Sequence, residues 1–409
     1  MNRRYDIDAL RVIAFAFLIL YHVGMLYVAD WGWHIKSSYT SEGLQLPMLF
    51  MNRWRMDLIF LISGMAAAFL LKPGQAGRFL AARSARLLLP LTFGILVVVP
   101  IQPYVQGVSN GLVEPGFFGF LAEYYTARRW PENAFDGWQH GFTWNHLWYL
   151  AYLWVYTVAL AALLPLLRSR LGQRLRAGFA GLRGAALLIL PALPLLLYSL
   201  VLQPRFPDVG DFIHDWYRNA VYFTVFLYGF VIARDAGFWA EALRLRRVAL
   251  GFALGLFAAY AFARHGLPET IPYWYEVLIV TLRNAYVWTM LLAILGWAHA
   301  LLNRPFAWLP KANEAVYPWY MLHQSLIVLI AWWLVPLKLG AALECTLVVL
   351  GTVAGCHLLH THLIRRVNWL RPLFGLKSAV ETREVPALRL AAYGVVPFAA
   401  LVVFIVWQS

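Results

Sequence analysis

Long apolar runs separated by short polar segments recur along the whole sequence. A helix needs about 20 mainly apolar residues to cross the hydrocarbon core of a bilayer, and the runs reach that length. We therefore predict an all-α, polytopic transmembrane bundle of ten to eleven crossings. The predicted crossings are residues 8–28, 48–71, 87–106, 146–167, 184–203, 219–233, 248–263, 274–298, 315–336, 341–364 and 388–407.

The composition agrees with a membrane protein. Apolar residues make up 61% of the chain and charged residues only 13%, whereas about a quarter of a soluble domain is charged. The first apolar run lacks a small-residue cleavage site, so we expect it to stay in the mature protein. Cys345 and Cys356 lie in one apolar run and predict no disulfide framework. We assign residues 1–380 to one membrane domain and 381–409 to an additional C-terminal helix of uncertain role.

The net charge of +14 does not predict a nucleic-acid partner, because its distribution follows topology. With the N-terminus inside, 24 of the 34 Lys and Arg residues fall in cytoplasmic segments. Such a bias is typical of the positive-inside rule. Acidic residues concentrate instead in the predicted outer loops. We expect membrane lipid as a partner and leave a homo-oligomer open.

The longest predicted outer loop, residues 107–145, is rich in aromatic residues, Gly and Asn. Aromatic rings with amide and acid partners are typical of a sugar-binding surface. Aromatic residues also collect at the membrane interface as a belt. The sequence leaves both interpretations open.

Charged residues inside a crossing are costly and mark either a site or a structural pair. The first crossing carries Asp8, Arg11 and His22. Asp8 and Arg11 are three residues apart and can pair. Arg11 and His22 are eleven apart, so they share a helix face and lie roughly 16 Å from each other along the axis. This helix is expected to present a cation near the cytosol and an imidazole near mid-membrane.

Two arginines stand one turn apart at the inner end of the third crossing, in GRFLAARSARLLLP. Arg83 and Arg86 share a face, and two guanidiniums together can grip a diphosphate-like anion. Ordinary anchoring at the inner surface is the alternative.

Further polar residues occur in four other crossings, the second, fourth, eighth and ninth. Arg53 and Asp57 are four apart and can pair, while Arg55 lies on another face; Glu276 and Arg283, seven apart, could form an internal salt bridge. The remaining candidates are His146, Trp148, Tyr149, Tyr320 and His323. The segment CHLLHTH, with His357 and His360 on one face, suggests a metal at first sight. No second ligand cluster of matching spacing accompanies it, so we predict no metal.

Several of these residues, in their order along the chain, resemble the motifs of the membrane-integral type 3 acyltransferase family. The resemblance rests on Arg11 with ten residues before His22, the Arg-x-x-Arg of Arg83 and Arg86, LISG in the second crossing, and HLWYL from His146. The segment NEAVYPWYMLHQ is most similar to the branch that succinylates osmoregulated periplasmic glucans. The similarity extends over about residues 5–365. Family members usually have ten crossings. With an eleventh predicted crossing, the sequence leaves open on which side of the membrane the C-terminus lies.

The resemblance implies transfer of an acyl group from cytosolic acyl-CoA to a hydroxyl of a periplasmic or surface glycan. The expected acyl donor is succinyl-CoA or acetyl-CoA, and no metal is expected to take part. The protein itself is expected in the inner membrane of a bacterium. A transporter for an anionic solute remains the alternative, although neither inverted halves nor a matching pair of broken helices is evident.

Under this interpretation, His22 acts as general base, with Asp8 as a second catalytic candidate. Arg11, Arg83 and Arg86 hold the phosphates of coenzyme A. Direct transfer and transfer through an acyl-enzyme both remain open. The residues expected to orient the acceptor or the acyl group are Arg53, Arg55, Asp57, His146, Trp148, Tyr149, Glu276, Arg283, Tyr320 and His323.

Overall fold

A computed structural model describes residues 3–207, 210–265, 267, 270–377 and 387–408. The described chain is helical and contains no strand, which confirms the all-α polytopic prediction. Its α-helices are α1 (Tyr5–Tyr27), α2 (Gln45–Leu70), α3 (Ala76–Phe93), α4 (Ile101–Ser109), α5 (Phe117–Tyr124), α6 (Trp148–Arg168), α7 (Arg170–Ala180), α8 (Gly184–Ile189), α9 (Ala192–Val201), α10 (Trp216–Ile232), α11 (Ala236–Arg264), α12 (Tyr273–Leu302), α13 (Leu309–Leu334), α14 (Ala341–Leu358), α15 (Leu370–Leu373) and α16 (Ala387–Gln408).

Eight helical stretches in the described residues are long and apolar enough to cross a membrane. They are Tyr5–Tyr27, Ala76–Val98, Asn145–Arg168, Gly184–Val201, Ala236–Arg264, Tyr273–Leu302, Leu309–Leu337 and Ala341–Ile364. The other three predicted crossings correspond to α2, α10 and α16. In α16 the apolar part is Ala391–Val403. The part of the predicted C-terminal segment at 381–386 and 409 lies outside the described residues.

The third crossing departs from the prediction at both ends. Its helix begins at Ala76, eleven residues before the predicted start, so Arg83 and Arg86 lie within α3. Ala and Arg are strong helix formers, and the helix therefore extends beyond the apolar run. A π-helical turn, Gly94–Val98, follows α3 and precedes α4. Such wide turns often occur at functional sites.

The chain divides into two compact units. Unit 1 comprises Met1–Ala14, Leu49–Ala76 and Val155–Leu309. Within it, α2 and α10 approach closely: a Cβ added to Gly64 would lie 1.8 Å from the Phe226 carbonyl oxygen, and one added to Gly229 would lie 2.0 Å from that of Leu61. The glycine of LISG is therefore required by backbone contact between two helices.

Unit 2 comprises Phe15–Met48, Gly77–Trp154 and Pro310–Ser409. Its core joins the second half of α1 to α13 and α14, with Leu26, Ile327 and Val348 fully buried. The Trp154 indole N–H of α6 donates to the Ser84 hydroxyl of α3 at 2.9 Å. Ser84 lies between Arg83 and Arg86 in the sequence. The bond therefore holds the part of α3 that carries both arginines against α6 within unit 2.

The aromatic loop at 107–145 forms a small core of its own within unit 2. Phe120 packs against Trp130 with ring centroids 5.0 Å apart, and Trp130 packs against Phe135 at 5.5 Å. All three are buried, and the Trp130 N–H donates to the Gly141 carbonyl at 3.2 Å. These three rings hold the loop together. Phe118 and Tyr125 of the same loop are instead 84% and 52% exposed.

Candidate functional site

Two histidines from α1 and α13 meet in unit 2. The Nδ1 atom of His22 lies 2.9 Å from the Nε2 atom of His323. Their rings are stacked, with centroids 5.1 Å apart and 14° between the planes. His323 is fully buried, whereas His22 is partly exposed. Two residues 301 positions apart in sequence thus form one hydrogen-bonded pair.

The backbone of α13 determines which ring nitrogen of each histidine in this pair carries a proton. The Nδ1 atom of His323 lies 2.7 Å from the Tyr320 carbonyl oxygen and 3.2 Å from that of Trp319. A carbonyl oxygen only accepts, so Nδ1 of His323 must carry hydrogen, and in the neutral ring Nε2 accepts. His22 therefore donates from Nδ1, and its own lone pair is on Nε2. A neutral imidazole of this tautomer is equipped to accept a proton.

His146 is the third histidine of this cluster, which we call the histidine site (His22, His146 and His323). Its ring lies edge-on to His323, with centroids 5.1 Å apart. Its Nε2 donates to the Met321 carbonyl at 3.1 Å, and the Tyr320 hydroxyl donates to the His146 carbonyl at 2.5 Å. The HLWYL segment is thereby attached to α13.

Two glutamines complete the site, and neither was predicted. Gln102 of α4 donates from Nε2 to Ser325 Oγ at 2.7 Å and to Nδ1 of His146 at 3.3 Å. Ser325 in turn donates to the Val98 carbonyl of the π-helical turn at 2.6 Å. Ser325 thus donates to the Val98 carbonyl and His146 to the Met321 carbonyl, which leaves Ser325 Oγ and Nδ1 of His146 as acceptors. The Gln102 amide must therefore direct its NH2 group toward these two atoms.

The chain of hydrogen bonds continues to the loop after α1. Gln324 donates to Gln102 Oε1 and to Nε2 of His34, each at 3.0 Å. His34 then donates from Nδ1 to Gln106 Oε1 at 2.8 Å, which also accepts the Asp136 N–H at 3.2 Å. Burial lowers the pKa of His34 below its usual value, because the charged ring would lose its hydration. The neutral form has the donor and the acceptor that this chain needs.

One face of α13 leads from the histidine site to Arg83 and Arg86, which are predicted to bind the acyl donor. Tyr317, Tyr320 and His323 follow each other at three-residue intervals, with ring centroids 6.4 and 6.1 Å apart. Tyr317 donates to the Arg86 carbonyl at 2.7 Å and lies in the electric field of Arg83 and Arg86. The face spans about 9 Å along the helix axis.

The aromatic candidates of α6 have different surroundings. Tyr149 packs edge-on against Tyr320 with ring centroids 6.1 Å apart, so it lies against this face of α13. Trp148 packs against Tyr152 at 5.0 Å. Tyr149 thus lies beside the site, and Trp148 supports α6.

The charged residues at the start of α1 belong to unit 1. Asp8 pairs with Arg11 at 3.6 Å and more closely with Arg3 at 3.0 Å. The predicted Asp8–Arg11 pair is present. Asp8 and His22 are fourteen positions apart in α1, about 21 Å along the axis, so Asp8 is out of hydrogen-bonding range of that ring. Its contacts instead orient Arg11.

Two further pairs considered from the sequence do not form among the described residues. Arg53 contacts the ring of Tyr260 at 5.7 Å and not Asp57. Arg283 donates to three neutral oxygens at 2.9 to 3.1 Å, and Glu276 is not among its partners. The geometric reason is that side chains four or seven apart share a helix face, yet each guanidinium here reaches toward a neighbouring helix. Arg55 has electrostatic contact with Tyr222 in the same unit.

The CHLLHTH segment ends in a second π-helical turn, Leu359–Ile364. His360 is buried there and lies in the field of Glu314 and Arg365, which pair at 3.0 Å. Groups of three or more His, Cys, Asp or Glu that could hold a metal are not found in the described part of the chain.

Sequence reasoning found the histidines and arginines but missed Gln102, Gln324 and His34. Amides in an apolar run carry no charge, so only their depth within a crossing could have marked Gln102 and Gln324. His34 lies in a loop, where a histidine is not unusual.

The fold and the site define a multi-pass membrane protein with a hydrogen-bonded cluster of histidines in unit 2. The sequence model of the type 3 acyltransferase family, described as an acyltransferase domain, matches residues 4–361. The chain therefore belongs to this family and is a membrane acyltransferase. No curated protein and no solved structure matches it significantly. The predicted family is confirmed, whereas the glucan-succinylating branch stays a prediction.

Proposed function

We propose that the protein transfers an acyl group, succinyl or acetyl, from cytosolic acyl-CoA to a hydroxyl of a periplasmic or surface glycan. It would do so from the inner membrane of a bacterium. The observation that carries the proposal is the hydrogen-bonded pair of His22 and His323, whose tautomers leave the basic nitrogen on His22. Family membership favours acyl transfer over the transport of an anionic solute.

The reaction is a direct transfer in which His22 moves one proton. Nε2 of His22 takes the proton of the acceptor hydroxyl as that oxygen attacks the thioester carbon. The carbon–sulfur bond then breaks, and the same proton passes to the departing sulfur to give the thiol. Nδ1 remains bonded to His323 throughout, so the imidazolium formed on the way keeps its orientation. An acyl-enzyme on His22 is the two-step variant.

The donor would lie along the face of α13 that carries Tyr317 and Tyr320. Arg83 and Arg86 adjoin one end of this face in unit 2, and His323 lies at the other. Coenzyme A combines a phosphate-rich head with a long, thin arm. Guanidiniums suit the head, and a row of aromatic rings suits the arm. Arg11, about 16 Å from His22 along α1, is the third candidate for the phosphates.

His146 would contact the acceptor as a member of the histidine site, and Tyr149 would contact it because it packs against Tyr320 beside that site. The two-glutamine chain to His34 supports His146 from the loop after α1, which is predicted to face the periplasm. The acceptor is thus proposed to arrive from the side opposite the donor.

The test is the variant His22→Ala in purified, reconstituted protein. We expect acyl transfer to fall at least about 100-fold, the lower range for loss of a general base. Binding of coenzyme A should persist, since the phosphate contacts remain. His357→Ala is the matched control, because His357 is an exposed histidine of the same unit. Turnover of His22→Ala at the control rate would remove His22 from the mechanism.

A further inference from the structure

Two arginines of unit 1 lack a carboxylate partner in the part of the chain that the structure describes. Arg53 in α2 has a buried Nε without a hydrogen-bond partner, and its guanidinium lies 5.7 Å from the centre of the Tyr260 ring. Arg283 in α12 donates from a single nitrogen, Nη2, to Ser199, Gln203 and Tyr217. These partners are neutral, so they accept hydrogen bonds from Arg283 without balancing the positive charge of its guanidinium.

The two guanidiniums act on each other. Arg53 lies in the field of Arg283 and also of Arg264, whose guanidinium is 5.9 Å from the same Tyr260 ring. Arg264 is exposed at the end of α11 and can be solvated. Arg53 and Arg283 are only partly exposed and belong to helices 26 and 30 residues long. Cations that repel each other in a membrane bundle are costly unless an anion compensates them.

The carboxylate available nearby does not suffice. Asp57 lies in the field of Arg283, but its Oδ1 is buried and unpartnered. Asp215 is paired with Arg218 at 3.7 Å. With Asp57 counted as an anion, Arg53 and Arg283 leave at least one negative charge missing. That deficit matches a carboxylate, which is a monoanion, and guanidinium forks bind carboxylates through two oxygens.

We propose that unit 1 contains a carboxylate-binding site formed by Arg53 and Arg283. Ser199, Gln203 and Tyr217 position the guanidinium of Arg283, and the Tyr260 ring supports that of Arg53. Two sources could supply the carboxylate: the free end of a dicarboxylic acyl group, or an acidic group of the acceptor. Binding does not depend on acyl transfer, whereas its assignment to a substrate rests on the proposed function.

Binding is tested with succinate as the probe and succinamide, its uncharged counterpart, at constant ionic strength. Succinate should raise the Tm of the purified protein in detergent as it saturates the site, and succinamide should not. Arg53→Gln and Arg283→Gln should each raise the half-saturating succinate concentration at least about tenfold, since a charge-assisted contact is lost. Arg247→Gln, an exposed arginine of the same unit, should behave as wild type.

A second substitution keeps the test decisive if a glutamine variant does not fold. Arg283→Lys retains the charge but loses the fork, so it should still bind succinate with reduced affinity. An equal Tm response to succinate and succinamide in the wild-type protein would overturn the site. Unchanged succinate affinity in the folded arginine variants would overturn it as well.

Kinetics in reconstituted protein distinguish the two sources. If the acyl group supplies the carboxylate, Arg283→Lys should lower kcat/KM for succinyl-CoA at least about tenfold relative to acetyl-CoA. If the acceptor supplies it, the KM for acceptor should rise by the same factor with either donor. Succinate binding in a protein that transfers no acyl group would refute the proposed function and leave the site standing.

Discussion

At the scale of single residues, His323 has the most testable role. We expect His323→Leu to lower kcat by about 100-fold or more, because the N–H of His22 loses its acceptor and the basic tautomer is no longer selected. The KM for acyl-CoA should change little. His323→Gln should recover at least about tenfold of the loss, since the amide oxygen can accept from His22.

The comparison of these two variants separates positioning from packing. Both remove the imidazole, and only glutamine restores an acceptor. Equal rates for the Leu and Gln variants in steady-state assays would show that the hydrogen bond does not matter to the reaction.

The arginines of α3 give a second prediction at this scale. Replacing both Arg83 and Arg86 by Ala should weaken coenzyme A binding at least about tenfold, because a phosphate loses its charge-assisted donors. Titration calorimetry with coenzyme A measures the change. Arg78→Ala is the matched control, since Arg78 is an exposed arginine two turns earlier in the same helix. An affinity in the double variant equal to that of the control would leave these arginines as surface anchors.

Much of this residue-level site could be predicted, but its connections could not. Intramembrane charge and histidine spacing identify Arg83, Arg86 and His22, because such residues are costly unless they have a role. Sequence spacing, however, relates only residues of the same helix. The pairing of His22 with His323, and the neutral partners of Arg283, depend on contacts between helices.

At the scale of helices, α2 and α10 of unit 1 approach each other closely. Gly64→Ala or Gly229→Ala would place a methyl group within 2.0 Å of a backbone carbonyl oxygen, which cannot turn aside as a side chain can. We expect each to lower the free energy of unfolding by about 2 kcal/mol or more. The measurement is thermal unfolding in detergent.

A glycine of α11 is the control for these two. An added Cβ at Gly251 meets nothing within 4 Å. Gly251→Ala should therefore be neutral or stabilise by up to about 1 kcal/mol through better helix propensity. Loss of stability as large as that of Gly64→Ala would mean that glycine content, rather than close approach, determines the effect.

Helix existence was predictable from the apolar pattern, while helix ends and breaks were not. α3 begins eleven residues early because Ala and Arg extend a helix without being apolar. The crossing at 184–203 is divided into α8 and α9 near Pro191, since proline cannot donate to the helix ladder. The two π-helical turns have no counterpart in the hydropathy pattern.

At the scale of the whole molecule, the charge asymmetry leads to a prediction about sidedness. The donor should enter from the face with 24 of the basic residues, and the acceptor should meet it from the face with the aromatic loop. The acyl group then crosses the membrane by reaction, while coenzyme A stays behind. Moving its several phosphates through the bilayer would cost several kcal/mol per unpaired charge.

Vesicles of known orientation and a labelled acyl group make this measurable. With acyl-CoA on the cytosolic-equivalent side and glycan on the other, we expect thiol to accumulate on the first side and ester on the second. His22→Ala vesicles serve as the control for leakage, because they should retain the donor contacts without transferring the label. If labelled acyl-CoA accumulates intact on the glycan side, the protein moves the donor itself. If ester forms only when both substrates share the cytosolic-equivalent side, the acceptor does not approach from the opposite face, and transfer through the membrane is wrong.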